Sequence, residues 1–140
     1  MSAAPVYKSI EILQRVPFHD LDPMHVVWHG NYFKYFDTAR FELFKQAGVD
    51  LYEYSFSRMV SFPVSRSSIK HIAPLKYNDE FICRARVTEA EYKIVMEFEI
   101  RLRENGQICA RGRSEQVAVA VPEMKLQYRI PEDITRALMV

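Results

Sequence analysis

Asn31-Tyr-Phe-Lys-Tyr-Phe-Asp-Thr-Ala-Arg-Phe-Glu-Leu-Phe-Lys-Gln-Ala47 is the stretch on which the fold turns. Tyr32, Tyr35, Phe36, Ala39, Leu43 and Ala47 recur at the spacings of one helical face, and Gly48 suits a C-terminal cap. Phe33 and Phe44 widen that face, leaving Lys34, Thr38, Glu42 and Lys45 as a narrow polar stripe. A helix with so little polar surface is buried around most of its circumference, and a sheet wrapped around it supplies the cover.

On the N-terminal side, residues 7–19 read as a first strand, with Tyr7, Ile10, Ile12 and Val16 among polar neighbours and Pro17 near the end of its pairing. Beyond the helix comes a short helical companion at Leu51–Phe56, and then almost everything alternates with period two. Phe62 and Val64 begin one strand. In residues 80–88, Phe81, Cys83, Ala85 and Val87 oppose Arg84 and Arg86; in 93–103, Ile94, Met96, Phe98, Ile100 and Leu102 alternate with charges. Asn105-Gly106 predicts a two-residue hairpin. The next strand, 108–121, puts Arg111, Arg113 and Glu115 in one parity with Val117, Val119 and Val121, which calls for a bulge or for burial on both faces beyond Ser114. Residues 131–138 close the chain as a short helix. The order predicts an α+β layer pair in a single domain spanning 1–140. One helix cannot protect every sheet edge, so at least a dimer is expected.

Composition excludes several function classes. The 140 residues are 49% hydrophobic, enough for a core without staples. With 19 Lys plus Arg against 18 Asp plus Glu, the formal charge is +1, which argues against a nucleic-acid partner. No apolar run is long enough to insert in a membrane, the N-terminus lacks the run of a secretory signal, and Cys83 and Cys109 read as reduced thiols, so a cytoplasmic location is expected. There is no Gly-x-Ser-x-Gly elbow, P-loop, Gly-x-Gly-x-x-Gly, His-Glu-x-x-His or Cys-x-x-Cys, and no cofactor is expected.

What remains is His19-Asp-Leu-Asp22-Pro-Met-His25-Val-Val-Trp-His29-Gly-Asn31, between the first strand and the helix. A lone Asp before Pro is ordinarily a turn or cap residue. Asp22, however, leads into a long helix whose N-terminal amides stabilise an oxyanion formed from a carbonyl. A carboxylate beside such amides suffices for acyl transfer to water, with Asp22 attacking the carbonyl or deprotonating a water. His25 and His29, with Asp20, Asp22 and His19 nearby, also invite a metal reading, but Pro23 and Val26-Val27 disfavour the regular helix that would align them, and no metal is expected.

Phe18-His-Asp-Leu-Asp22-Pro-Met-His-Val-Val-Trp-His29-Gly-Asn-Tyr32, running into Phe36-Asp-Thr-Ala-Arg40, resembles the signature of the 4-hydroxybenzoyl-CoA thioesterase family, including its Tol-Pal-associated branch. Ile72-Ala-Pro74-Leu-Lys-Tyr-Asn-Asp79 is similar to that family's strand-Pro-x-x-x-x-Asp step, so the resemblance covers most of the chain. It implies the hotdog fold, one long central helix wrapped by a five- to six-stranded antiparallel sheet, and hydrolysis of acyl thioesters of coenzyme A or acyl carrier protein by a homodimer or homotetramer. It makes Asp22 the catalytic carboxylate and His29 the assisting residue, with Asn31 and Tyr32 shaping the pocket. The family pattern carries Gly where this chain has His25, and a side chain there is expected to narrow the acyl pocket, alter the loop or add a polar group. Trp28 is a candidate for lining the acyl pocket. Lys93 matches a basic position near the CoA phosphates.

Arg84, Arg86, Arg101, Arg103, Arg111 and Arg113 form either a basic docking patch or, with Glu97, Glu99 and Glu115, a solvated face laced by ion pairs. His71 reads as a structural strand histidine. An enoyl-thioester hydratase or dehydratase, using a His and an acid as a proton-transfer pair, and a non-catalytic acyl-carrier-binding subunit are the alternatives.

Overall fold

In the computed structural model, which describes residues 4–140, the aromatic helix runs from Asn31 to Gln46 (α1), and Gly48 takes the left-handed conformation (φ 80°) where the chain turns away. Residues 1–3, part of the N-terminal stretch considered for a secretory signal, lie outside the described residues. A five-stranded antiparallel sheet lies against α1 in the order β1-β4-β5-β6-β3, built from β1 (Ser9–Arg15), β3 (Val64–His71), β4 (Glu80–Glu89), β5 (Ile94–Leu102) and β6 (Ile108–Gln116). The helix face predicted from spacing is the buried one. Tyr35 packs on Phe81 (ring centroids 4.8 Å apart) and Phe36 stacks on Phe98 at 4.6 Å, while Ala39 and Leu43 are buried with Cys83, Ala85 and Ile100. Two further helices, α2 (Leu51–Ser57) and α3 (Glu132–Ala137), fall where short helices are expected, and Asp50 caps α2 by accepting from the Glu53 amide at 3.0 Å.

Three local expectations are revised. The first strand ends at Arg15, because Phe18–Asp20 form a 3-10 turn that redirects the chain. The hairpin after β5 has a longer loop than two residues. Leu102 donates to the Gln107 carbonyl at 2.8 Å, Gly106 takes φ 73°, and the Asn105 side chain accepts from the Gln107 amide, so Asn105 stabilises the turn without being at its two-residue tip. The strand predicted over 108–121 stops at Gln116, and Val119–Ala120 (β7) joins a separate three-stranded sheet with β2 (Val60–Ser61) and β8 (Lys125–Leu126). The parity change is resolved by burial on both faces. Ser114 accepts from the Arg40 guanidinium at 2.6 Å and Gln116 donates to the Phe62 carbonyl at 2.9 Å on one side, while Glu115 pairs with Lys93 and Arg113 on the other.

The outer face is laced. Glu11, Arg84, Glu99 and Arg111 form a cross-strand row, and Arg86–Glu97 (3.1 Å), Arg101–Glu11 (2.5 Å) and Arg111–Glu99 (3.5 Å) are ion pairs. The arginines share a face, and acids neutralise much of it. Among the described residues, β3 pairs only with β6 and is exposed along nearly its whole length, leaving one hydrogen-bonding edge open.

Gly112 of β6 sits beneath the Phe36 ring. A Cβ there would overlap the ring edge and lie 3.2 Å from the Ser68 carbonyl oxygen, on the rigid backbone of the neighbouring strand. Gly112→Ala is expected to destabilise the fold by about 1–3 kcal/mol through overpacking, read as a lowered denaturation midpoint in urea.

Candidate active site

The loop before α1 is organised by a buried acid. The 3-10 turn points Asp20 inward, where it is 2% exposed. A carboxylate so placed needs partners, and α1 supplies them: Lys34 Nζ donates at 2.5 Å and the Tyr35 hydroxyl at 2.6 Å. Burial by itself raises the carboxyl pKa, but these two donors outweigh it and hold the group below its ordinary value. The Asp20 carbonyl accepts from the Trp28 amide and from Asn31 Nδ2, each at 2.9 Å. Both ends of the loop are thereby fastened to the first turns of α1.

Asp22 has the opposite environment. Its Oδ1 accepts from the Met24 amide at 2.8 Å and the Val26 amide at 3.5 Å, while its own amide donates to the Val26 carbonyl at 2.8 Å. Among the described residues, Asp22 Oδ2 has no hydrogen-bond partner. This tight turn forces His25 to φ 65°, a left-handed conformation that costs any residue with a Cβ and suits glycine. The glycine of the resembling family's pattern thus has a backbone reason, and His25 replaces it under strain.

A second wall comes from the chain after β3. The Val27 amide donates to the Leu75 carbonyl at 2.8 Å, and the Leu75 amide donates to the Tyr32 hydroxyl at 3.3 Å, so loop and helix hold the same segment. Burial raises the Tyr32 pKa, keeping the phenol protonated. Between these walls lies a cleft of about 300 Å³ lined by Asp22, Val26, His29, Tyr32, His71 and Ile72, among others. Gly30 at the head of α1 has no side-chain cap. The Asn31 and Tyr32 amides donate back to the Trp28 and His29 carbonyls, whereas the His29 and Gly30 amides donate to no carbonyl among the described residues.

The sequence candidates therefore divide. Asp22, His29 and Tyr32 line the cleft together. Asn31 belongs to the Asp20 anchor. Trp28 is half-exposed and folds over Gly30 beside the His29 ring, outside the cleft wall, and His25 is exposed away from it. Lys93 pairs with Glu115 at 2.9 Å, near the end of β6 opposite to Ala110, and is not brought to the cleft by its own chain. His71, which reads from sequence as a structural strand histidine, also lines the cleft. It shares the inward parity of Ile69, and its ring lies 4.7 Å from that of Tyr32 and 6.3 Å from that of His29. Period-two parity along β3 was the available signal. Among the described residues, no three His, Cys, Asp or Glu side chains are grouped so as to hold a metal ion.

Comparison with known proteins agrees with this architecture. The profile of the thioesterase-like superfamily matches residues 16–138. A proposed esterase from Synechocystis sp. is 27% identical over 138 residues, which cover 94% of this chain and 80% of that protein. The solved structure of a 1,4-dihydroxy-2-naphthoyl-CoA thioesterase from Synechocystis superposes with a TM-score of 0.86 at 21% identity, covering 94% of this chain and 96% of the other. An Asp-to-Asn variant of 4-hydroxybenzoyl-CoA thioesterase complexed with 4-hydroxybenzoyl-CoA gives 0.84 at 20% identity, covering 93% and 98%. The fold is the hotdog arrangement.

Two stability effects follow from the loop. Asp20→Asn removes a buried charged acceptor and is expected to cost roughly 2–3 kcal/mol at neutral pH. Because the folded pKa is depressed, that stabilisation is fully present above the unfolded value of roughly 3.9 and is lost as pH falls through the folded value. Melting temperatures of wild type and variant should converge in acid. His25→Gly should relieve the left-handed strain and raise stability by up to about 1 kcal/mol, whereas His25→Val should lower it, both read from urea midpoints.

Proposed function

The chain belongs to the thioesterase-like superfamily, and from that premise we propose that it hydrolyses an acyl thioester at the cleft beside the head of α1. The observation that carries this reading is the state of Asp22. One carboxylate oxygen is fixed by two main-chain amides, the other has no hydrogen-bond partner among the described residues, and the side chain lines the cleft. Such a carboxylate is oriented without being neutralised, as a nucleophile or general base requires.

A thioester carbonyl placed between Asp22 and the uncapped start of α1 would meet the unspent His29 and Gly30 amides, which are suited to hold its oxyanion. Asp22 attacks the carbonyl carbon or takes a proton from water that does so, the carbon–sulfur bond breaks, and the thiol departs. The His29 imidazole assists from the same wall. Met24, Val26, Ile72 and Pro74 give the acyl group an apolar surface, and Tyr32 closes the floor.

Coenzyme A is the carrier this reading favours, since the solved relatives named above are CoA thioesterases by name, and acyl carrier protein is the alternative carrier. The open β3 edge offers a second copy a strand to pair with, giving a homodimer or, with further contacts, a homotetramer. Lys93 lies far from the cleft of its own chain, so any contact it makes with the CoA phosphates would be at another subunit's cleft.

Asp22→Asn separates chemistry from folding, because the amide oxygen still accepts from Met24. Thiol release from a panel of short, long and aromatic acyl-CoAs should fall by roughly 100-fold or more, with the melting temperature close to wild type. Wild-type turnover by the variant would remove Asp22 from the mechanism.

A further inference from the structure

We propose that His71 is a second functional group of the cleft, the acceptor for the proton of the hydrolytic water, acting from the sheet wall opposite Asp22. The inference rests on the thioesterase reading and sharpens it by making Asp22 the nucleophile. His71 ends β3 on the inward side, paired with Ala110 of β6, and lines the same cleft as Asp22. Its neighbours are the rings of Tyr32 and His29, and among the described residues no hydrogen bond occupies its nitrogens. A histidine kept for structure spends a ring nitrogen on a carbonyl or carboxylate. His71 spends neither and is open to solvent at the cleft mouth.

The groups that line the cleft with it are Asp22 and His29 from the loop and Tyr32 from α1, while Cys109 of β6 holds the chain just after it by accepting from the Ile72 and Ala73 amides through its carbonyl. Burial raises both the Tyr32 and Cys109 pKa values, so neither competes as a base near neutrality. Partial desolvation at the cleft wall, and then the facing His29 ring, push His71 below the ordinary imidazole value. It is therefore neutral near pH 7 and free to accept a proton.

Asp22 Oδ2 bonds to the acyl carbon as the carbon–sulfur bond breaks, and the thiolate leaves. Water attacks that acyl carbon, one of its protons passes to His71, the bond to Asp22 breaks, and the carboxylate of Asp22 is restored. The imidazolium returns its proton to solvent, and the product acid ionises.

The test compares wild type, His71→Ala and His71→Gln with 4-hydroxybenzoyl-CoA as probe, measuring kcat and KM from acid to neutral pH, with and without added imidazole, alongside melting temperature. Both variants should lose roughly 100-fold in kcat with little change in KM, and the acid limb of the wild-type kcat profile should disappear. Imidazole should restore part of the activity of the Ala variant, in which space has been opened. Either variant turning over within about two-fold of wild type overturns the role, as does a loss that leaves the acid limb in place and does not respond to imidazole. If wild type releases no thiol from this probe or from the wider acyl-CoA panel, the thioesterase reading itself fails and this role falls with it. An active wild type with an indifferent His71 refutes this inference alone.

Discussion

The ion pair and hydrogen bond made by the buried Asp20 carboxylate set the position of everything at the cleft. A carboxylate this deep is costly unless its oxygens are met, and both donors, Lys34 and Tyr35, come from the helix that the loop must approach. The loop therefore has one placement that satisfies the acid. The same residue's carbonyl gathers the Trp28 amide and the Asn31 side chain, tying the far end of the loop to the point where it began. Asp22 is two residues from this anchor and inherits its precision. The Asp-x-Asp pair is thus a division of labour: the first acid is neutralised to hold the backbone, and the second is held by backbone so that it stays unneutralised.

Much of this was legible because periodicity reports burial. The apolar spacing of Tyr32, Tyr35, Phe36, Ala39 and Leu43 and the alternation in β4 and β5 identified the helix, its buried face and the inward faces of those strands. What periodicity cannot carry is contact between residues far apart in the chain. His71 looks like any strand histidine until β3 is seen to end beside Tyr32 and His29. Asp20 and Asp22 are chemically the same residue two positions apart, and only the direction of the 3-10 turn separates an anchor from a free carboxylate. Likewise, polar Ser114 and Gln116 are buried at the end of β6 against Arg40 and Phe62, partners remote in sequence.

The near-neutral charge also has a structural meaning that composition hides. On the outer face, acids and arginines alternate across strands, so the sheet surface is laced by pairs whose individual worth is small in solvent. At the cleft the charges are instead segregated. Asp20 is fully matched, while Asp22, whose Oδ2 has no hydrogen-bond partner among the described residues, lines a cleft that carries two imidazoles and no Lys or Arg. In the proposed hydrolysis, a fixed cation there would stabilise the carboxylate and weaken it as a nucleophile or base.

That segregation depends on holding Asp22 with main chain. Amides of Met24 and Val26 orient its Oδ1 without bringing a full positive charge, but they do so only while the turn stays closed, and closure obliges His25 to a left-handed backbone. The strain is borne because the flanking segment is fixed on three sides: by Asp20, by the Val27 amide on the Leu75 carbonyl, and by Tyr32 on the Leu75 amide. The hydroxyl of Tyr32 and the carboxylate of Asp20 therefore do for geometry what a cation at Asp22 would have done at the expense of reactivity. A loop secured by remote polar contacts can present an acid that is both rigid and unpaired, which is the combination that the proposed thioester hydrolysis draws on.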